Sequence, residues 1–200
     1  MNYLMHLFLA GDDRESLVGN MMGDFVKGRL DDRYPPGIRS GIVLHRKIDS
    51  FAAGNRFFMQ SKRQLDDSYG HYKGILFDIF YDHFLAKNWK EYSEKPLEQY
   101  ANEVYVLMLK NIFLMPEKSL IFLKYAMRTN RLISYATIDG IGEALSGMSR
   151  RTTFKSNMEF AVNDLKENYS LFENEFREFF EDAREFVKEY LLICSDAKPE

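Results

Sequence analysis

The sequence predicts an all-α chain folded as a single compact helical bundle spanning residues 1–200. Three observations carry that expectation. Apolar residues recur at three- and four-residue steps along most of the chain, as one face of an α-helix requires. Prolines stand where helices start rather than inside them. No stretch alternates apolar and polar residues between turn pairs, so strands are not expected.

The elements follow in order. Leu17, Asn20, Met21, Asp24, Phe25 and Gly28 share helical spacing, with Ser16 as the cap and the end near Gly28. Pro35 and Pro36 fit the first turn of the next helix, whose Ile38, Ile42, His45 and Asp49 lie on one face. Ile75, Ile79, Tyr81, Phe84 and Leu85 give a helix over about 71–89, anchored by Trp89. Pro96 opens a helix to about 114, and Pro116 restarts one to about 134. A short glycine-weakened helix covers 138–148. Met158, Leu165, Phe172, Phe176, Phe179, Ala183, Phe186 and Tyr190 then step by sevens, fours and threes through one or two closing helices.

Composition narrows the function classes. With 200 residues, 46% hydrophobic and only 5 prolines, the chain buries a substantial core and is not disordered. Its formal charge of −3 lacks the basic excess of a nucleic-acid-binding domain, so no nucleic-acid partner is expected. The sole cysteine, Cys194, forms neither an internal disulfide nor a thiolate zinc cage, which suits a reducing cytoplasm. The apolar start has no basic leader region, and the stretch 104–115 falls short of the roughly 20 residues that span a bilayer. A cytoplasmic protein without a membrane partner is expected.

The residues capable of chemistry are histidines in the company of carboxylates. His45 and Asp49 are four apart, so on a helix both face one point. Asp78 and Asp82 repeat that spacing, and His83 follows directly. Asp24 lies among Met21, Met22, Phe25 and Val26. Unpaired charge in apolar company is expensive, and a shared cation offsets the expense. Each residue alone is more simply a surface or pairing carboxylate. Together, three helices offering His or Asp toward a bundle interior describe a metal site. Donors of this kind without thiolate favour Mn²⁺, with Mg²⁺ or Fe²⁺ as alternatives. Lys27, Arg46, Arg150 and Arg151 are the nearby cations suited to a phosphate. His6 is weighed equally as a core histidine and as a site residue.

Four segments, Asn2-Tyr-Leu-Met-His6-Leu-Phe-Leu-Ala10, Gly19-Asn-Met-Met-Gly-Asp24-Phe-Val-Lys-Gly28, Gly41-Ile-Val-Leu-His45-Arg46-Lys-Ile-Asp49 and Asp78-Ile-Phe-Tyr-Asp82-His83-Phe-Leu85, resemble in order and spacing the acyl carrier protein phosphodiesterase family. Gly147-Met148 and Arg150-Arg151 match more weakly. That family is regarded as a divergent branch of the HD-type metal-dependent phosphohydrolases. The resemblance implies removal of 4′-phosphopantetheine from holo acyl carrier protein, with Mn²⁺ as activator. It carries over Asp24, His45, Asp49, Asp78, Asp82 and His83 as metal-site residues, with Arg46 beside the phosphate; Asp82, His83, Arg46 and His6 are the catalytic candidates, and the acid toward the serine leaving group is His6 or a second metal-bound water. Here the dyad runs Asp82 then His83, the reverse of the order that names HD enzymes.

The acidic carrier requires a local basic surface, for which Lys62, Arg63, Arg128, Arg131, Arg150 and Arg151 are the candidates. Two other readings are weighed beside this one: an HD-like phosphohydrolase of a nucleotide or other small phosphoester, and a non-catalytic helical binding module. Periodicity leaves the oligomeric state open.

Overall fold

A computed structural model describes residues 3–30 and 32–195, with the backbone of 196. Among the described residues there are twelve α-helices and no strand. They are α1 (Tyr3–Leu9), α2 (Arg14–Met22), α3 (Pro36–Gly54), α4 (Arg56–Gln64), α5 (Lys73–Lys87), α6 (Trp89–Tyr92), α7 (Leu97–Lys110), α8 (Glu117–Arg128), α9 (Arg131–Ser134), α10 (Ile138–Ser149), α11 (Ala161–Glu167) and α12 (Tyr169–Asp196). The all-α expectation holds. No described helix is long and apolar enough to cross a membrane.

Helix α5 sits at the centre because it is apolar all round. Leu76, Phe77, Phe80, Tyr81, Phe84 and Leu85 are fully buried. The apolar stripe of α12 closes on one side of it: Phe77 meets Phe172 edge to face at 4.9 Å, and Tyr81 meets Phe179 at 5.0 Å. Buried within the same layer, Ser61 of α4 hydrogen-bonds Glu175 of α12 and reaches Tyr81 at 2.9 Å, while Gln64 donates to Glu175. That network satisfies a carboxylate that is otherwise costly to bury.

Helices α2 and α3 touch backbone to backbone. A Cβ on Gly19 would lie 2.1 Å from the Ile38 carbonyl, and one on Gly41 would lie 2.3 Å from the Ser16 carbonyl. Any larger residue at either position separates the pair. The contact places the C-terminal end of α2 against the middle of α3, where His45 lies.

Several boundaries differ from those read in the sequence. Helix α2 is capped by Asp13, which accepts from the Ser16 amide at 2.7 Å, and it ends at Met22 rather than near Gly28. The segment to Gly28 is a turn, with Gly28 at φ +77°. The helix expected over 116–134 breaks at Asn130, which adopts φ +45°, a left-handed conformation that asparagine tolerates. The expected 71–89 helix begins only at Lys73 and stops at Lys87. In the sequence, α1 and α4 carry too few residues for periodicity to define them.

Candidate metal centre

Three short stretches from different elements converge on one point: His6 of α1, Asp24 in the turn after α2, and His45 with Asp49 of α3. His6, His45 and Asp49 each offer a ligand atom within 4.8 Å of the others'. His6 Nε2 is 3.0 Å from Asp49 Oδ1, and His45 Nε2 is 3.3 Å from Asp49 Oδ2. Asp24 Oδ2 approaches His45 Nε2 at 3.5 Å. The two imidazoles stack with ring centroids 3.8 Å apart.

The orientation of His45 is fixed from behind. Its Nδ1–H donates to the Asn20 carbonyl at 2.8 Å, which turns Nε2 toward the two carboxylates. A ligand histidine is oriented in the same way, by a backbone acceptor on its other nitrogen. Gly23 makes room for the ring, since a Cβ there would meet His45 Cγ at 2.2 Å. Sequence periodicity could not have found Asn20 and Gly23 as supports. Only their offsets of four and one from Asp24 hint at it.

His45 Nε2, Asp24 Oδ2 and His6 Nδ1 are buried without a hydrogen-bond partner. Buried polar atoms are ordinarily satisfied, so a cluster of orphans among carboxylates and imidazoles matches the donor set of a divalent cation. Both histidines are 2% exposed in their side chains and Asp24 is 19% exposed, whereas Asp49 is 54% exposed and opens the cluster to solvent.

Electrostatics follow from this packing. Burial disfavours charge on His45, but the Asp24 and Asp49 carboxylates outweigh it and push its pKa up to about 9. His6 is shifted down because burial prevails there over its single carboxylate partner. Burial acts to raise Asp24 and Asp49, yet the neighbouring imidazoles hold both below the ordinary carboxylate range.

The remaining residues singled out in the sequence lie elsewhere or act otherwise. Asp82 is wholly buried and accepts the Leu4 and Met5 amides at 3.0 and 2.8 Å, so it caps the helix that carries His6. Burial raises its carboxyl to about 8, against those two donors. His83 donates from Nδ1 to the Tyr135 carbonyl and accepts at Nε2 from the Tyr169 hydroxyl, both at 2.8 Å, and burial lowers its pKa. Asp78, one turn before Asp82 on α5, is half-buried and is not among the converging groups. Arg46 donates to the Val26 and Gly28 carbonyls at 2.7 and 2.9 Å and so holds the turn between Asp24 and Arg29. Lys27 is exposed on that turn. Arg150 and Arg151 are exposed at the end of α10, where the Arg151 guanidinium lies 5.2 Å from the Tyr125 ring centroid.

Residues 1–183 match the family model described as acyl carrier protein phosphodiesterase. The chain is 32% identical to the protein of that name from Photorhabdus laumondii over 195 residues, covering 97% of this chain and 98% of the relative. It is 28% identical to the one from Serratia proteamaculans, covering 96% and 100%. To the one from Escherichia coli O6:H1 it is 29% identical, covering 90% and 94%. No solved structure matches it significantly.

Proposed function

The chain belongs to the acyl carrier protein phosphodiesterase family, and we propose that it releases phosphopantetheine from holo acyl carrier protein at a divalent cation held by His6, Asp24, His45 and Asp49. The observation that carries the site assignment is the convergence of ligand atoms of His6, His45 and Asp49 within 4.8 Å of one another, with Asp24 Oδ2 3.5 Å from His45 Nε2. Mn²⁺ is the preferred ion on the chemistry of an oxygen and imidazole donor set.

A divalent ion in such a site polarises a phosphoryl oxygen and acidifies water, the two demands of phosphodiester hydrolysis. The chain's own residues do the rest. The Asn20 carbonyl holds the His45 ring so that Nε2 is the nitrogen offered to the ion once its proton is displaced. Asp49 bridges the two imidazoles and presents the open side to substrate. His6, buried and kept neutral, suits a ligand better than an acid toward the departing serine. Arg46 keeps the turn after Asp24 in place, and Lys27 on that turn is the cation offered to the phosphate. Asp82 acts one step removed, by holding α1 and therefore His6. His83 contributes to packing between α5, α12 and the segment around Tyr135.

Intact-mass spectrometry of holo acyl carrier protein incubated with the chain tests the reading. Loss of the phosphopantetheine mass with Mn²⁺ and its retention with EDTA are expected. An unchanged mass in both tubes, with Mn²⁺ bound to the protein, would redirect the site toward small phosphoesters.

A further inference from the structure

We propose that the exposed face of α8 is the docking surface for the carrier protein, receiving an acidic helix with an apolar residue at its centre. The inference rests on the phosphodiesterase reading above and extends it to the protein half of the substrate.

The face is built by helical spacing. Lys118, Ile121, Lys124 and Arg128 of α8 are all exposed, with Ile121 64% exposed in their midst. An isoleucine ringed by three cations is an unusual surface for a chain of net charge −3. Such an arrangement attracts carboxylates at the rim while an apolar contact is made at the centre. Glu117, at the start of the helix, is the acidic member of the face. Beyond α8, Arg151 lies over Tyr125 and extends the positive surface.

The same helix reaches the metal centre. Phe122, next to Ile121, stacks on Tyr3 of α1 with ring centroids 3.9 Å apart and faces Phe25 at 6.0 Å. Tyr3 lies one turn before His6, and Phe25 directly follows Asp24. A protein seated on α8 is therefore beside the two segments that supply site residues. Of the basic groups read from the sequence as docking candidates, Arg131 is not available, because it is 3% exposed and donates to the Gly140 carbonyl and the Tyr125 hydroxyl. Lys118 and Lys124 take its place.

The test compares the wild type with the double variant Lys124→Glu/Arg128→Glu, two exposed positions outside the metal centre. Binding of apo acyl carrier protein is measured by calorimetry at low salt, and turnover of the holo form is measured in parallel. At least a tenfold loss of affinity in the variant is expected, with KM raised by a similar factor and kcat retained. Equal affinity in the two proteins overturns the docking surface, as does a wild type that binds no carrier. A variant that loses binding to anionic phospholipid vesicles but keeps the carrier assigns the face to a membrane and also overturns it. Wild type that binds carrier through this face yet leaves holo carrier intact overturns the phosphodiesterase reading while the docking surface stands.

Discussion

His6 and His45 stack face to face, with their rings 3.8 Å apart and inclined by 12°, and the two oxygens of Asp49 each meet one of their Nε2 atoms. Stacked imidazoles so close together would repel one another if both were protonated. One carboxylate spanning both nitrogens keeps the pair in register. That relationship ties α1 to α3.

Asp49→Asn keeps the shape of the bridge but removes its charge. Mn²⁺ affinity is expected to fall by at least a hundredfold and turnover with it, while the far-ultraviolet circular dichroism stays that of the wild type. A variant that retains both would remove Asp49 from the site.

Gly23→Ala places a methyl group 2.2–2.6 Å from atoms of the His45 side chain, closer than any real contact permits. Either the ring or the turn must move. Metal affinity is expected to drop more than tenfold, and thermal stability by about 1–3 kcal/mol, in the range of overpacking. A calorimetric titration and a melting curve on the same sample check both.

Asp82→Ala strips the buried Leu4 and Met5 amides of their acceptor. Unsatisfied buried donors cost about 1–3 kcal/mol each, so a loss of several kcal/mol is expected in denaturant titration. Asp82→Asn retains one acceptor and should lose less. A pair of variants as stable as the wild type would show that α1 is held by other means.

The metal-free centre and the loaded one should respond oppositely to pH. In the metal-free protein His45 titrates near 9, above its ordinary value, so its contribution to stability is complete below about 6.5 and disappears as pH rises through 9. Asp24 and Asp49 are shifted down, so their share is present above the usual carboxylate range and is lost on acidification. A cation must displace the His45 proton. Its affinity should therefore rise about tenfold per pH unit up to pH 9, with about one proton released per ion near neutrality. Calorimetry in buffers of different ionisation enthalpy measures that proton directly.

The pairing of His45 with Asp49 was legible in the sequence because it is local: a spacing of four on a strongly periodic helix leaves little freedom. Asp24 was legible through its apolar neighbours. The same signal singled out Asp82 and His83, whose partners in the structure are of another kind. Apolar surroundings indicate that a polar group is buried, but not whether its partner is an ion or a backbone amide. On α5 the partners are amides from α1, a carbonyl at Tyr135 and a hydroxyl at Tyr169, and these contacts are long-range. His6 could be placed only once α1 was seen against α3. The helix boundaries fared in proportion to their signals. Prolines marked the starts of α3, α7 and α8 correctly to within a residue, whereas the break at Asn130 depends on a backbone conformation that no periodicity encodes.

The measurement closest to the central claim is an Mn²⁺ binding isotherm recorded for the wild type, His45→Ala and His83→Gln. Wild type and His83→Gln should bind with similar affinity, and His45→Ala should lose the ion. Binding that survives in His45→Ala and disappears in His83→Gln would contradict the account and move the metal from the junction of α1, α2 and α3 to α5.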